Sequence, residues 1–250
     1  MSDAGDRAAG PGRPRRARRG AAFWLGGATV LVGLAMLGYV GWQLWGTNYV
    51  SERKQRETVE SLERVWRESP PSADAGPGQG DERGGRDAEP ASVPLGDAMA
   101  LIRIPRFGDD YVMPVLEGIG DDVLARGFGH FPQAAGPGGR GNFALAAHRV
   151  THGEPLRDMP LLQPGDEVLV ETRDTVYTYV LDTDPDDLVV TFRDVWVVGE
   201  DPVNPGGGVG PADHPRLITL TTCAELFHTD DRMVAFGHLV SAESKDGAAS

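Results

Sequence analysis

Apolar and polar positions change pattern three times along the chain. Residues 21–45 are a run of 25 without one charged side chain. A helix of that length spans about 37 Å, enough to cross a ~30 Å hydrocarbon core with some tilt. Trp24, Tyr39, Trp42 and Trp45 stand near its ends like an aromatic belt. From Ser51 to Arg67 the chain is rich in charge, with Val59, Leu62 and Trp66 at helical spacing. This predicts a short stalk helix capped by Ser51, a merely solvated segment being the other reading. Residues 69–94 are Pro, Gly, Asp and Ser with almost nothing to bury, which predicts a disordered tether.

From Leu95 the pattern becomes short apolar runs broken by Gly, Pro and Asp. They fall at Met99 to Ile104, Val112 to Leu116, Asn142 to Ala147, Glu167 to Glu171, Val176 to Leu181, Leu188 to Val198, Arg216 to Thr222 and Arg232 to Val240. Eight such runs with little helical periodicity predict an all-β domain, an antiparallel barrel or sandwich, and its size suffices for a core of its own. The expected division is a basic segment 1–20, a transmembrane helix 21–45, a stalk and linker 46–94, a catalytic domain 95–241 and a polar tail 242–250. No internal repeat, nucleotide loop or metal-ligand spacing is visible, so no cofactor and no metal is expected.

Charge fixes the compartment. Residues 1–20 carry six arginines against Asp3 and Asp6, a net +4, which places the N-terminus in the cytoplasm and the remainder outside the cell. The apolar run exceeds a usual signal-peptide core and ends without a clean cleavage pattern, so it is read as a retained single-pass anchor. The whole chain is −13, so the part after the span carries −17, which argues against nucleic acid as a partner.

The one cysteine, Cys223, ends the β-branched run Leu217-Ile218-Thr219-Leu220-Thr221-Thr222, and Arg232 opens the next strand nine residues on. A thiol at a strand end beside a cation, with one histidine, meets the needs of covalent acyl transfer, because the thiolate is the nucleophile. A lone buried thiol is otherwise usually inert. Six histidines compete for the partner role. His148 follows the strand Asn142 to Ala147 and, like Cys223, stands at a strand end. His214 lies in a Gly/Pro loop and His238 inside the last strand. His228 is so near Cys223 in sequence that spacing alone leaves it open.

These residues resemble the sortase family, most closely the actinobacterial class E enzymes. Thr219-Leu220-Thr221-Thr222-Cys223 is similar to the Thr-Leu-x-Thr-Cys signature, with Arg232 at the family's distance. Gly141 to Arg149 resembles its Gly-Asn-x-x-x-Ala-Gly-His-Arg segment, with Ala147 for the glycine. Ile102-Arg103-Ile104-Pro105 and Val115-Leu116-Glu117-Gly118 resemble the first two strands. Gly127-Phe128-Gly129-His130-Phe131 resembles a Gly-x-Gly-His turn, which makes His130 structural.

The resemblance implies a closed antiparallel eight-stranded sortase-type β-barrel with Cys223, His148 and Arg232 catalytic. Thr221, Thr222, Arg149 and His152 would then bind substrate. Its partners would be secreted proteins with C-terminal sorting signals, Leu-Pro-x-Thr-Gly or Leu-Ala-x-Thr-Gly, and an amine of a peptidoglycan precursor. The Cys223 thiolate would attack the Thr-Gly carbonyl while His148, as imidazolium, protonates the leaving glycine amine and Arg232 steadies the oxyanion. With ordinary pKa values near 8.5 and 6.5, about one per cent of molecules would hold both charges at pH 7.5. His152 stands where class E enzymes carry a tyrosine associated with signal choice, so a weakened preference between the two signals is expected. The loop Gly199 to Pro215 would wall the signal groove. Other readings are a pilin-polymerising sortase using a lysine amine, an L,D-transpeptidase, whose Ser-x-Gly-Cys run is absent, and a non-catalytic tethered β-domain binding wall ligands.

Overall fold

A computed structural model describes residues 17–42, 47–68, 93–223 and 230–245, and gives backbone alone for 17–22, Thr47 and Cys223. The basic segment to residue 16, the tether over 69–92 and His228 lie outside the described residues. The chain divides into a unit holding the first helix and a second, compact unit from Thr47 onward. Helix α1, Ala17–Gly41, contains a 19-residue stretch, Phe23–Gly41, long and apolar enough to cross a membrane. Its large side chains, from Phe23 to Trp42, are solvent-exposed.

In the second unit, strands β1 (Ala98–Arg103), β2 (Met113–Glu117), β3 (Phe128–His130), β4 (Gly141–Ala146), β5 (Glu167–Glu171), β6 (Thr175–Leu181), β7 (Val189–Thr191), β8 (Arg216–Cys223) and β9 (Asp231–Ser244) form one sheet. Its order is β6-β5-β1-β2-β3-β4-β8-β9-β7, and pairing of β6 with β9 closes eight of these strands into a barrel. β7 is a ninth, three-residue strand on the flank of β9.

Three expectations change. The eighth barrel strand is β3, read above as a turn, and not Leu188 to Val198. Phe128-Gly129-His130 is too short to carry an alternation, and Gly129 is required because a Cβ there would run into the Gly118 carbonyl oxygen. The run Leu188 to Val198 gives only β7 before Asp194, and Val195–Val198 is a 3-10 turn. The barrel is not wholly antiparallel either, since β2 pairs with β3, and β4 with β8, in parallel. The short helix α3, Asp121–Leu124, makes the first of these crossovers.

The barrel interior is filled by alternate residues of the strands, among them Phe128, Phe143, Leu145, Tyr179, Ile218 and Leu220, each at most 1% exposed. A second apolar cluster lies on the outer face of β9, where Val234 and Phe236 are covered by Leu188 and Val197. Both faces of β8 are buried, with Ile218 and Leu220 on one and Leu217, Thr219 and Thr221 on the other, which explains why its run carries no charge after Arg216.

The stalk expected before the domain is a helix, but not a free one. Helix α2, Thr47–Glu68, belongs to the compact unit with the barrel. Val59 and Leu62 pack with Leu101 of β1, with Trp66, Ala98 and Val112 beside them. Lys245, just past β9, lies over the Trp66 ring at 4.5 Å. Ser51 does not cap the helix; it lies inside it and is 3% exposed.

Candidate active site

The parallel pairing of β4 and β8 brings the two motifs together. Ala144 pairs with Thr219 and Ala146 with Thr221. The alignment persists past the end of β4, because Ala147 N–H donates to the Thr221 carbonyl at 3.2 Å and the buried Thr222 Oγ1 donates to the Ala147 carbonyl at 2.7 Å. Continued one position, this register sets His148 beside Cys223. On the other side of β8, Cys223 pairs with Arg232 of β9. His148, Cys223 and Arg232 thus stand in a row across the ends of three adjacent strands.

The alternation along β4 decides which face His148 takes. Phe143, Leu145 and Ala147 enter the barrel core, so Ala144, Ala146 and His148 belong to the outer face. On β9, Met233 and Ala235 point inward, and Arg232, Val234 and Phe236 outward. The site is therefore on the outside of the barrel wall, beside the segment Leu188 to Val198.

His148 is held in a tight loop. Its carbonyl accepts from Leu156 N–H at 3.0 Å, and the half-buried Tyr111 donates its hydroxyl to the Pro155 carbonyl at 2.6 Å. The His152 ring stacks on the His148 ring, with centroids 4.6 Å apart and planes at 26°. Burial, with the neighbouring His152 adding to it, lowers the His148 pKa from 6.5 to about 4, while Asp121 of α3 pulls weakly the other way. The resting imidazole is neutral at neutral pH.

Of the four residues expected to bind substrate, Thr222 donates its hydroxyl to Ala147 and is 3% exposed, so its place is that of a clip between the two strand ends. Thr221 is buried at the same seam. Arg149 and His152 are half-buried beside His148. His130 has the structural place expected: its Nδ1 meets Glu117 Oε2 at 2.7 Å and its Nε2 meets the Ala135 carbonyl at 3.0 Å, all inside the protein. The Asp182 carboxylate lies 2.8 Å from His238 Nδ1, and His214 stacks near His238, an arrangement at the starting end of β8 and away from Cys223.

Sequence reasoning missed the role of Asn142. Fully buried, it donates to the carbonyls of Val197 and Gly199 at 3.2 and 3.0 Å and accepts from Thr219 Oγ1 at 2.8 Å. A polar pair within two otherwise apolar strands was the signal available. This bonding also places the two ends of the loop expected to wall the groove, within which Val209 packs against the cluster of Leu188, Val197, Val234 and Phe236. Gly199 is tied to Asn142 at the start of β4, and the Pro215 carbonyl accepts from Gly141 N–H at 2.9 Å. Both ends of the loop Gly199 to Pro215 therefore sit at the starting end of β4 and β8, about 23 Å along β8 from Cys223. The segment that flanks the site is Val189 to Val195, where Val190 pairs with Arg232 and the side chains of Val189, Phe192 and Val195 are exposed.

Comparison with known proteins bears on the family and the fold. Residues 102–240 match the family model described as the sortase domain. The chain is 34% identical over 229 residues to sortase SrtE1 of Streptomyces coelicolor, covering 86% of this chain and 56% of that protein. It is 29% identical to sortase SrtE2 of the same organism, over 99% of this chain and 93% of the other. Its fold aligns with the structure of sortase E from Streptomyces avermitilis at a TM-score of 0.55 and 37% identity, over 63% of this chain and 97% of that one. The chain thus spans little more than half of one curated relative and nearly all of another. By the family match across more than half its length, this chain belongs to the sortase family, with its likeness running to the class E members.

Proposed function

We propose that the protein is a membrane-anchored cysteine transpeptidase that cleaves a C-terminal Leu-Pro/Ala-x-Thr-Gly sorting signal between Thr and Gly and passes the acyl group to a cell-wall amine. The observation that carries this reading is the row His148, Cys223, Arg232 across three strand ends, held by the Thr222 to Ala147 bond. His148 and Arg232 flank the one cysteine of the chain.

The lowered pKa of His148 changes the expected protonation. For an unaltered thiol, the thiolate-imidazolium form becomes more than a hundredfold rarer than ordinary values would give, so the resting pair is thiol and imidazole. His148 takes the Cys223 proton as the sulfur bonds to the Thr carbonyl carbon. It gives that proton to the glycine nitrogen as the C–N bond breaks, leaving a thioester. A group of pKa about 4 is a strong acid once protonated, which suits it to an amine leaving group. Arg232, permanently charged and forked, steadies the oxyanion and substrate backbone. An incoming amine then attacks the thioester and regenerates the thiol.

The exposed apolar side chains of Val189, Phe192 and Val195 supply a wall for the signal's leucine. Arg149 and His152, beside His148, face the rest of the signal. With α1 as a single-pass anchor and the basic segment in the cytoplasm, the site stands outside the cell, where secreted proteins and peptidoglycan precursors meet it. Cleavage of paired Leu-Ala-x-Thr-Gly and Leu-Pro-x-Thr-Gly peptides, followed by product separation, tests the reading. Release of a fragment beginning with Gly from both, at rates within about tenfold, is the expected result. Cleavage elsewhere, or none of either peptide, contradicts it.

A further inference from the structure

The loop that carries His148 is strained, and the element that holds it is α2. His152, Gly153 and Glu154 are three successive residues with positive φ, at 56°, 77° and 50°. Left-handed backbone costs about 1 kcal/mol or more at each non-glycine residue, and such runs persist only where surrounding contacts over-determine them. Each of the three is gripped by α2. Gln55 Nε2 donates to the His152 carbonyl at 2.9 Å, Gly153 N–H donates to Asn48 Oδ1 at 3.1 Å, and Asn48 Nδ2 donates to Glu154 Oε1 at 2.6 Å. Gln55 is 3% exposed, and a Cβ on Gly153 would press into its amide.

These grips lie on one helical stripe. Asn48, Ser51 and Gln55 continue, turn by turn, into Val59, Leu62 and Trp66, so the apolar half of α2 seats the helix on β1 and the polar half meets the loop. Asn48 follows the apolar stretch ending at Gly41 by seven residues. We infer that Asn48 and Gln55 are positioning residues, through which the helix just after the membrane span locks the His152-Gly153-Glu154 turn and so fixes His148. The inference rests on the proposed reading of His148 as the proton carrier. The titratable groups set against His148 are His152 of its own loop and Asp121 of α3, while Cys223 and Arg232 pair with each other at the adjoining strand ends.

The test uses the full chain in detergent, with Asn48→Ala/Gln55→Ala, and with the polarity swap Asn48→Asp/Glu154→Gln beside Asn48→Asp alone. In the swap, the carboxylate introduced on α2 still accepts from Gly153 N–H, and the amide introduced in the loop supplies the donor. Peptide cleavage should lose about tenfold in kcat with KM within about twofold for the double alanine variant. The swap should recover at least half the kcat that Asn48→Asp loses. An NMR titration of His148 reads the same lock without turnover: its pKa should climb from about 4 toward 6.5 as the released loop opens the imidazole to water and the His152 ring moves off. If wild type cleaves no signal peptide, the proposed function fails, and the titration still decides the clamp. A folded double variant with wild-type kcat and an unmoved His148 titration overturns the inference, as does a swap no better than Asn48→Asp.

Discussion

The roles of single side chains here are set by what faces them across a strand seam. Cys223→Ala and His148→Ala should each reduce signal-peptide cleavage by several orders of magnitude while leaving the circular dichroism of the barrel unchanged. Arg232→Lys should fail too, because an ammonium lacks the fork. Retained cleavage in His148→Ala would move the proton carrier to another histidine. Thr222 gives a subtler case. Thr222→Val should cost about 1 to 2 kcal/mol of stability and lower kcat, and Thr222→Ser should recover most of both, since the hydroxyl's bond to Ala147 is what aligns the two strand ends. A sign can also be worked out for pH. With a folded pKa of about 4 against 6.5 unfolded, the unfolded chain binds a proton that the folded one refuses. His148 therefore costs no stability above pH 6.5, destabilises progressively as pH falls to 4, and adds nothing further below that. Denaturant midpoints should show His148→Asn gaining on wild type over that window, by on the order of 2 kcal/mol after its partial exposure is allowed for. Midpoints that run parallel in the two proteins would refute the burial of this imidazole. The strand-end positions of Cys223, His148 and Arg232 were legible in the sequence, because residue type and the limit of an apolar run are both local properties. The buried partners of Asn142 and His130 were not, since Val197 and Glu117 meet them only through the fold.

At the scale of elements, the strands with alternation or β-branched runs were read nearly to their ends, and those without were not. β3 is three residues around a glycine, and Leu188 to Val198 is apolar because it covers Val234 and Phe236, not because it extends as a strand. Parallel pairing of β4 with β8 leaves no trace in either strand's composition, yet it is what joins the two motifs. The ends of the loop Gly199 to Pro215 lie far along β8 from Cys223 while Val189 to Val195 flanks it, which predicts a measurable difference between the two segments. Phe192→Ala and Val195→Ala should raise KM for signal peptides severalfold, whereas removing two glycines from the run Gly206 to Gly208 should leave peptide kinetics within twofold. The opposite pattern would return the groove wall to the Gly/Pro loop. Helix α2 was recognised by Val59, Leu62 and Trp66, but its docking was not, because the same spacing serves any partner and the polar half of the stripe reads as solvated.

For the molecule as a whole, the helix that packs on the barrel and touches the His152 loop follows, in chain order, a stretch long and apolar enough to cross a membrane. The chain's one cysteine makes its topology directly measurable. In intact cells a membrane-impermeant maleimide should label Cys223 without permeabilisation, as the +4 segment before α1 requires. Labelling only after permeabilisation would reverse the orientation. The net −17 carried by the residues after the apolar stretch disfavours broad contact with anionic surfaces. The central claim is that Cys223 forms a thioester with the threonine of a sorting signal. Intact-mass spectrometry of the full chain, quenched in acid after mixing with a Leu-Ala-x-Thr-Gly peptide, tests it most directly. The account predicts a mass gain equal to the peptide up to threonine, mapped to Cys223, absent in Cys223→Ala and discharged by an added amine. An unmodified Cys223 while the fragment beginning with glycine accumulates would contradict it.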